Sequence, residues 1–145
     1  MPRLLSCADG TQIVIFGGQR GDDIGASNEL LVYMPEDNIY SFMEAPNGTF
    51  GLPSPRSGHT AILRGATMYV FGGRLLSGAL ASDTWSIDFG VAPVASWGEP
   101  ILAGLGGPAA RRGHSAVMSV QDDTMLVFAG VDATGLLLSD LWSLN

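Results

Sequence analysis

Lysine is absent from this sequence, so all seven basic residues are arginines. Fourteen acidic residues oppose them, and the formal net charge is -7. That balance gives no electrostatic footprint for nucleic acid and is repelled by an anionic lipid surface. Without lysine, a phosphate-cradling Gly-x-x-x-x-Gly-Lys loop is impossible. Cysteine is nearly missing too. The single Cys7 excludes a disulfide framework and a cysteine-rich zinc module. Charge is sparse at 14% against 46% hydrophobic residues, the wrong proportion for a disordered tail. No apolar run approaches the roughly 18 residues of a membrane-spanning helix. Residues Met1 to Asp9 have no apolar core of leader length, which predicts an intracellular, cytoplasmic location. What is plentiful is glycine, 20 residues in 145, among β-branched and aromatic runs. This composition predicts an all-β chain with many tight turns, at a length that suits one domain.

The sequence repeats itself. Ile15-Phe16-Gly17-Gly18 recurs as Val70-Phe71-Gly72-Gly73 at an offset of 55, and as Val127-Phe128-Ala129-Gly130 after a further 57. Ser82-Asp83-Thr84-Trp85-Ser86 returns as Ser139-Asp140-Leu141-Trp142-Ser143, and Arg56-Ser57-Gly58-His59 returns as Arg111-Arg112-Gly113-His114. Aligning 56–63 with 111–118 and 67–87 with 124–144 gives 15 identities in 29 positions. Composition alone would give roughly 2. The first copy keeps an ungapped offset of 55 from Thr11, which puts Asn28 where Asp83 stands, Leu30 where Trp85 stands and Leu4 where His59 stands. Each copy reads as short strands. Thr67 to Phe71 is a compact β-forming run closed by a glycine pair, and His59 to Leu63 precedes it across a turn at Arg64-Gly65. Asp83 to Ile87 alternates polar with apolar residues, and a fourth strand lies near Ala95-Ser96-Trp97, matching 39–42. Four strands per repeat of about fifty residues is the signature of a propeller blade.

The run Arg56-x-Gly58-His59, Tyr69-Val70-Phe71-Gly72-Gly73 and Asp83-Thr84-Trp85 resembles a kelch repeat. Arg111, Gly113, His114, Gly130, Asp140 and Trp142 resemble a second, and residues 4–44, with Gly17 and Gly18, a degenerate third. The resemblance implies four-stranded antiparallel blades of a kelch-type β-propeller. Blade 1 spans about 4–44, blade 2 about 56–101 and blade 3 about 111–145, the last without its fourth strand. Together they form a single partial propeller over 1–145. The motif residues also have reasons of their own. The glycine pairs end strands where the backbone needs positive φ or close approach. Trp85 and Trp142 are plates suited to filling the gap between blades. Propellers close with about 4 to 8 blades. Three blades are therefore expected to be a fragment of a larger propeller, or to close by self-association, two chains giving six blades.

The chemistry-bearing residues assemble no catalytic set. His59 and His114 share one repeat phase, so packing or hydrogen bonding within the blade accounts for them, and a blade's separation is poor geometry for a shared metal. Galactose oxidase, an enzyme with kelch-like blades, binds copper through two His and two Tyr, one of them linked to Cys. Cys7, Tyr33, Tyr40 and Tyr69 are present here without its local motif. Asp22-Asp23 and Asp122-Asp123 read as solvated loop acids. Arg20-Gly21-Asp22 and the sequon Asn47-Gly48-Thr49 matter only outside the cell. No catalytic residue, metal or cofactor is expected.

Loop length is more informative. In an up-and-down blade, the loop after strand 2 and the link to the next blade emerge on one side. Those are the long ones here: 19–27, 74–81, 131–138, 44–55 and 99–110. Binding residues concentrate on long loops over a rigid scaffold. Arg20, Asp22, Asp23, Arg74, Leu75 and Asp132 are thus the expected partner-binding residues. The reading is a non-catalytic protein-interaction module. The alternative is part of a propeller enzyme or sugar-binding domain, resembling galactose oxidase or a sugar-acid epimerase, with its site completed elsewhere.

Overall fold

The computed structural model describes residues 3–6, 12–19, 21, 25–43, 51–90, 96–98, 101–102 and 107–144. Its elements are all strands. β1 (Arg3–Ser6), β2 (Ile13–Gln19), β3 (Ala26–Met34) and β4 (Ile39–Met43) form an antiparallel meander, the first blade. The second blade has β6 (Thr60–Arg64), β7 (Thr67–Phe71) and β9 (Asp83–Asp88). Its outer edge is split between β10 (Ser96–Trp97) and β11 (Ile101–Leu102), both paired to β9. The third has β12 (Ser115–Ser119), β13 (Thr124–Val131) and β14 (Leu137–Leu144). Two short strands, β5 (Arg56–Ser57) and β8 (Arg74–Leu75), pair with each other, and β5 also pairs with Ser27 of the first blade.

Alternation along each strand sends one set of side chains to each blade face, and the faces stack. Val14, Phe16, Leu30 and Val32 of the first blade meet Ala61, Met68, Val70, Trp85 and Ile87 of the second, with Trp97 closing the cluster. Phe16 meets the Trp97 ring edge-on at 5.0 Å. A second cluster joins Ile62 and Phe71 to Met125 and Val127 of the third blade, with Trp142 packed against it. The tryptophans thus fill the space between blades, as expected. Each fully buried aliphatic or aromatic side chain here is worth about 1.5–3 kcal/mol.

The glycine pairs do have positive φ: 58° and 104° at Gly17 and Gly18, 65° and 98° at Gly72 and Gly73. In β2 the pair, and in β13 its counterpart Ala129-Gly130, do not end the strand. They make a bulge, between Phe16 and Gly18 and between Phe128 and Gly130, after which pairing resumes. Ala129 holds the same conformation at φ 60° despite its methyl group.

The first blade departs from the ungapped register. Phe16 pairs with Leu30, whereas Phe71 pairs with Thr84 and Phe128 with Leu141. One extra residue is therefore taken up before β3. Glu29, not Asn28, stands at the Asp83 position, and Leu31, not Leu30, at the Trp85 position. The first hairpin shifts too. Arg3 lies opposite Phe16, as Thr60 lies opposite Phe71, so Leu4, opposite Ile15, stands at the place of Ala61 rather than that of His59. A one-residue slip exchanges the faces of a strand. Burying Leu30 and Val32 against the second blade decides the register of β3 over motif alignment.

Candidate interaction face

The Arg-x-Gly-His motif builds the junction between blades. Arg56 is 1% exposed and its guanidinium lies flat against Asp83, Nη1 donating to Oδ1 at 2.7 Å and Nη2 to Oδ2 at 3.0 Å. Nη1 also reaches the Gly72 carbonyl, Nε donates to the Ser54 carbonyl, and Trp85 Nε1–H donates to Asp83 Oδ2. The third blade repeats this set with Arg111, Asp140, the Ala129 carbonyl and Trp142. Bidentate charge-assisted pairs of this kind are strong and geometrically exacting. Burial, the largest single influence on Asp83, raises its carboxyl pKa. The hydrogen bonds and charge of Arg56, with Trp85, outweigh burial and hold it below the usual range. Arg111's hydrogen bonds hold Asp140 down further, against burial and with help from Trp142.

The histidines work between blades rather than within one. The His114 ring lies edge-on to Phe71 of the preceding blade at 5.1 Å, and its Nε2 is 2.7 Å from Thr60 Oγ1. His59 meets Phe16 of its own preceding blade in the same way at 5.4 Å. A Cβ built on Gly72 would lie 3.1 Å from His114 Cε1 and 3.0 Å from the Arg111 carbonyl oxygen. On Gly17 it would lie 3.2 Å from His59 Cε1. The first glycine of each pair is thus a slot for the next blade's imidazole, and this requirement joins the two motifs across about forty residues.

These buried motifs support an open face. β5 and β8 bring the link between blades beside the loop after strand 2, with Leu76 N donating to the Pro55 carbonyl. In the third blade Arg112 and Val131 exchange both backbone hydrogen bonds, and Gly113 N donates to the Gly58 carbonyl at 2.8 Å. Between them lies a cavity of about 230 Å³ lined by Gln19, Ser57, Gly58, Arg74, Arg112 and Gly113. Arg74 and Arg112 are exposed, and among the described residues neither is in an ion pair. An acidic chain thus presents a locally cationic cavity with a hydroxyl and an amide beside two guanidinium forks, suited to a carboxylate or phosphate.

The expected binding residues fare differently. Arg74 lines the cavity. Leu75 is held by the backbone of Arg56 and Ala79. Asp132 Oδ1 accepts from Thr134 N, Thr134 Oγ1 and Leu136 N, so this carboxylate organises its own loop. The Thr134 hydroxyl is the first cause of its lowered pKa. Arg20, Asp22 and Asp23 lie outside the described residues, as do most of 44–55 and half of 99–110. Gln19, Ser57 and Arg112 were missed. Their signal was repeat phase, since Gln19 and Arg74 both follow a glycine pair, and Ser57 and Arg112 are both the second residue of Arg-x-Gly-His. Asp122 and Asp123 sit in the β12–β13 turn, where Asp123 pairs with Arg64 of the neighbouring blade. Tyr33 and Tyr40 face each other across β3 and β4, while Tyr69 packs against the second cluster, so the tyrosines do not converge.

The KLHDC2/KLHL20/DRC7 Kelch-repeats domain model matches residues 5–145. The chain belongs to the kelch-repeat family. It is 30% identical to human Host cell factor 2, over 94% of this chain and 19% of that protein. It is 33% identical to Adagio protein 3 of Arabidopsis thaliana, over 92% of this chain and 20% of that protein. Mouse Kelch domain-containing protein 1 is 28% identical over 83% of this chain and 28% of its own length. The kelch chain therefore spans under a third of the curated relatives it matches.

Proposed function

We propose that this kelch chain is a protein-interaction module that receives an acidic segment of its partner in the cavity formed by Gln19, Ser57, Arg74 and Arg112. The observation that carries the reading is the pair of exposed arginines, without acidic partners among the described residues, on a chain of net charge -7. Kelch membership supports an interaction scaffold, because blades supply a rigid frame on which linking loops converge. Burial of Arg56 and Arg111 supports it as well. They anchor the frame, and this leaves Arg74 and Arg112 available to a ligand.

The test uses fluorescence anisotropy with a labelled glutamate-rich hexapeptide and its glutamine counterpart. The glutamate peptide is expected to bind and the glutamine one not, with affinity falling as salt rises. Arg74→Ala and Arg112→Ala should each weaken binding about tenfold, on the scale of one charge-assisted hydrogen bond. Equal binding of the two peptides, or arginine variants that bind as well as the parent, would overturn the reading.

A further inference from the structure

The side chains that line the arginine cavity are mostly hydrogen-bond donors, and their arrangement bears on what fills it. They come from separate stretches of chain. Gln19 ends β2, Ser57 and Arg74 lie opposite each other in the β5–β8 pair, and Arg112 belongs to the link into blade 3. The backbone beneath them is fixed. Arg112 and Val131 exchange both backbone hydrogen bonds, and Gly113 N reaches the Gly58 carbonyl at 2.8 Å. A Cβ built on Gly58 would lie 3.5 Å from Arg112 Cβ, so Arg112 stands close beside the residue that follows Ser57. The order across the cavity is therefore Arg74, Ser57, Arg112: a hydroxyl flanked by two guanidinium groups.

Two guanidinium charges stand here with no acid in the lining. One carboxylate has a single charge and two oxygens, and it leaves a guanidinium unmatched. Two carboxylates would match the charge, at the entropic cost of ordering two side chains. A phosphomonoester carries about −1.5 to −2 charge and three strong acceptor oxygens on one side chain. Two arginine forks and a hydroxyl suit those three oxygens. The lining has no apolar side chain on which an aromatic ring could rest. A short aliphatic stem fits such a wall better than a phosphotyrosine ring.

We infer that the partner segment received in this cavity is anchored by a phosphoserine or phosphothreonine, so that binding follows phosphorylation of the partner. The inference rests on the interaction reading proposed above and specifies its ligand. Arg74 and Arg112 donate to the phosphate oxygens, and the Ser57 hydroxyl selects the third oxygen that a carboxylate lacks. A phosphorylated lipid headgroup offers the same chemistry, but a chain of net charge -7 is repelled by the surface that carries it, which favours a peptide.

Fluorescence anisotropy on the full chain compares labelled hexapeptides that differ at one central residue: phosphoserine, glutamate or serine. The phosphoserine peptide should bind about tenfold tighter than its glutamate counterpart. Its affinity should fall between about pH 7.5 and about pH 5.5, as the phosphate gains a proton near pH 6, while binding of the glutamate-rich peptide holds steady. Ser57→Ala should weaken phosphoserine binding about fivefold, with the glutamate-rich peptide bound as before and circular dichroism unchanged. Should the glutamate-rich peptide bind but phosphoserine be no tighter than glutamate, this inference fails and the interaction reading stands. Should neither anionic peptide outdo its neutral control, both fail. Inorganic phosphate that competes as well as the phosphopeptide would mark an adventitious ion only. Displacement of the phosphopeptide by phosphatidylcholine vesicles containing phosphoinositide would assign the cavity to a headgroup, and either result would overturn the inference.

Discussion

At the scale of the residue, the informative feature is how differently five of the seven arginines are used. Arg56 and Arg111 are internal braces, Arg64 ties two hairpins through Asp123, and Arg74 and Arg112 face an open cavity. The braces make stability depend on acid. Asp83 has a lowered pKa when folded, and an unfolded Asp titrates near 3.9, so its contribution is complete above about pH 4. It is lost as pH falls through the lower folded value. Asp140 acts in the same direction, but its side chain is 38% exposed against 21% for Asp83, and solvent screening reduces its share. Thermal melts should accordingly be flat from neutral pH to about 5 and fall below about 4. Asp83→Ala strands a buried guanidinium and should cost about 3–5 kcal/mol at neutral pH. It should also flatten the acid limb, and a variant with an unchanged acid limb would remove Asp83 as its source.

At the scale of the element, the glycine pair governs how one blade accepts the next. Gly72→Ala forces an alanine to φ 65° and pushes its methyl against the Arg111 carbonyl and His114. Urea denaturation should show a loss of about 1–3 kcal/mol from the conformation alone, and more from the contacts. Ala129→Gly removes a strained methyl but adds unfolded-state freedom, so it should stay within about 1 kcal/mol of the parent. Equal effects at the two positions would rule out the slot. The strands, the turn at Gly65 and the positive φ of the glycine pairs were all legible, because alternation and repeat spacing are local signals. The register of the first blade was not. Its β3 is placed by the burial of Leu30 and Val32 against another blade, and an ungapped motif alignment contains no such information. The cavity was half legible. Arg74 stood out on a long loop, whereas Arg112 looked like a filler between two motif residues until the fold put it beside Gly58.

At the scale of the whole molecule, the packing is nearly one-dimensional, since among the described residues each hydrophobic cluster joins two adjacent blades. Trp85 and Trp97 meet at 6.3 Å within the first cluster, and Met125 and Val127 belong wholly to the second. The middle blade therefore carries both clusters, one on each face, while the outer two carry one apiece. The imidazole slot has a further consequence. Its halves come from different blades, but they repeat in phase, so the repeats are interchangeable parts. Excising residues 56–110 should join blade 1 directly to blade 3, with the His114 ring passing to Gly17 and Phe16. Such a shortened chain is expected to keep a β-sheet circular dichroism spectrum and a cooperative, lower melt, and a non-cooperative melt would show that the middle blade cannot be skipped. The same in-phase slot would let a longer chain gain or lose blades in register without redesign of any junction.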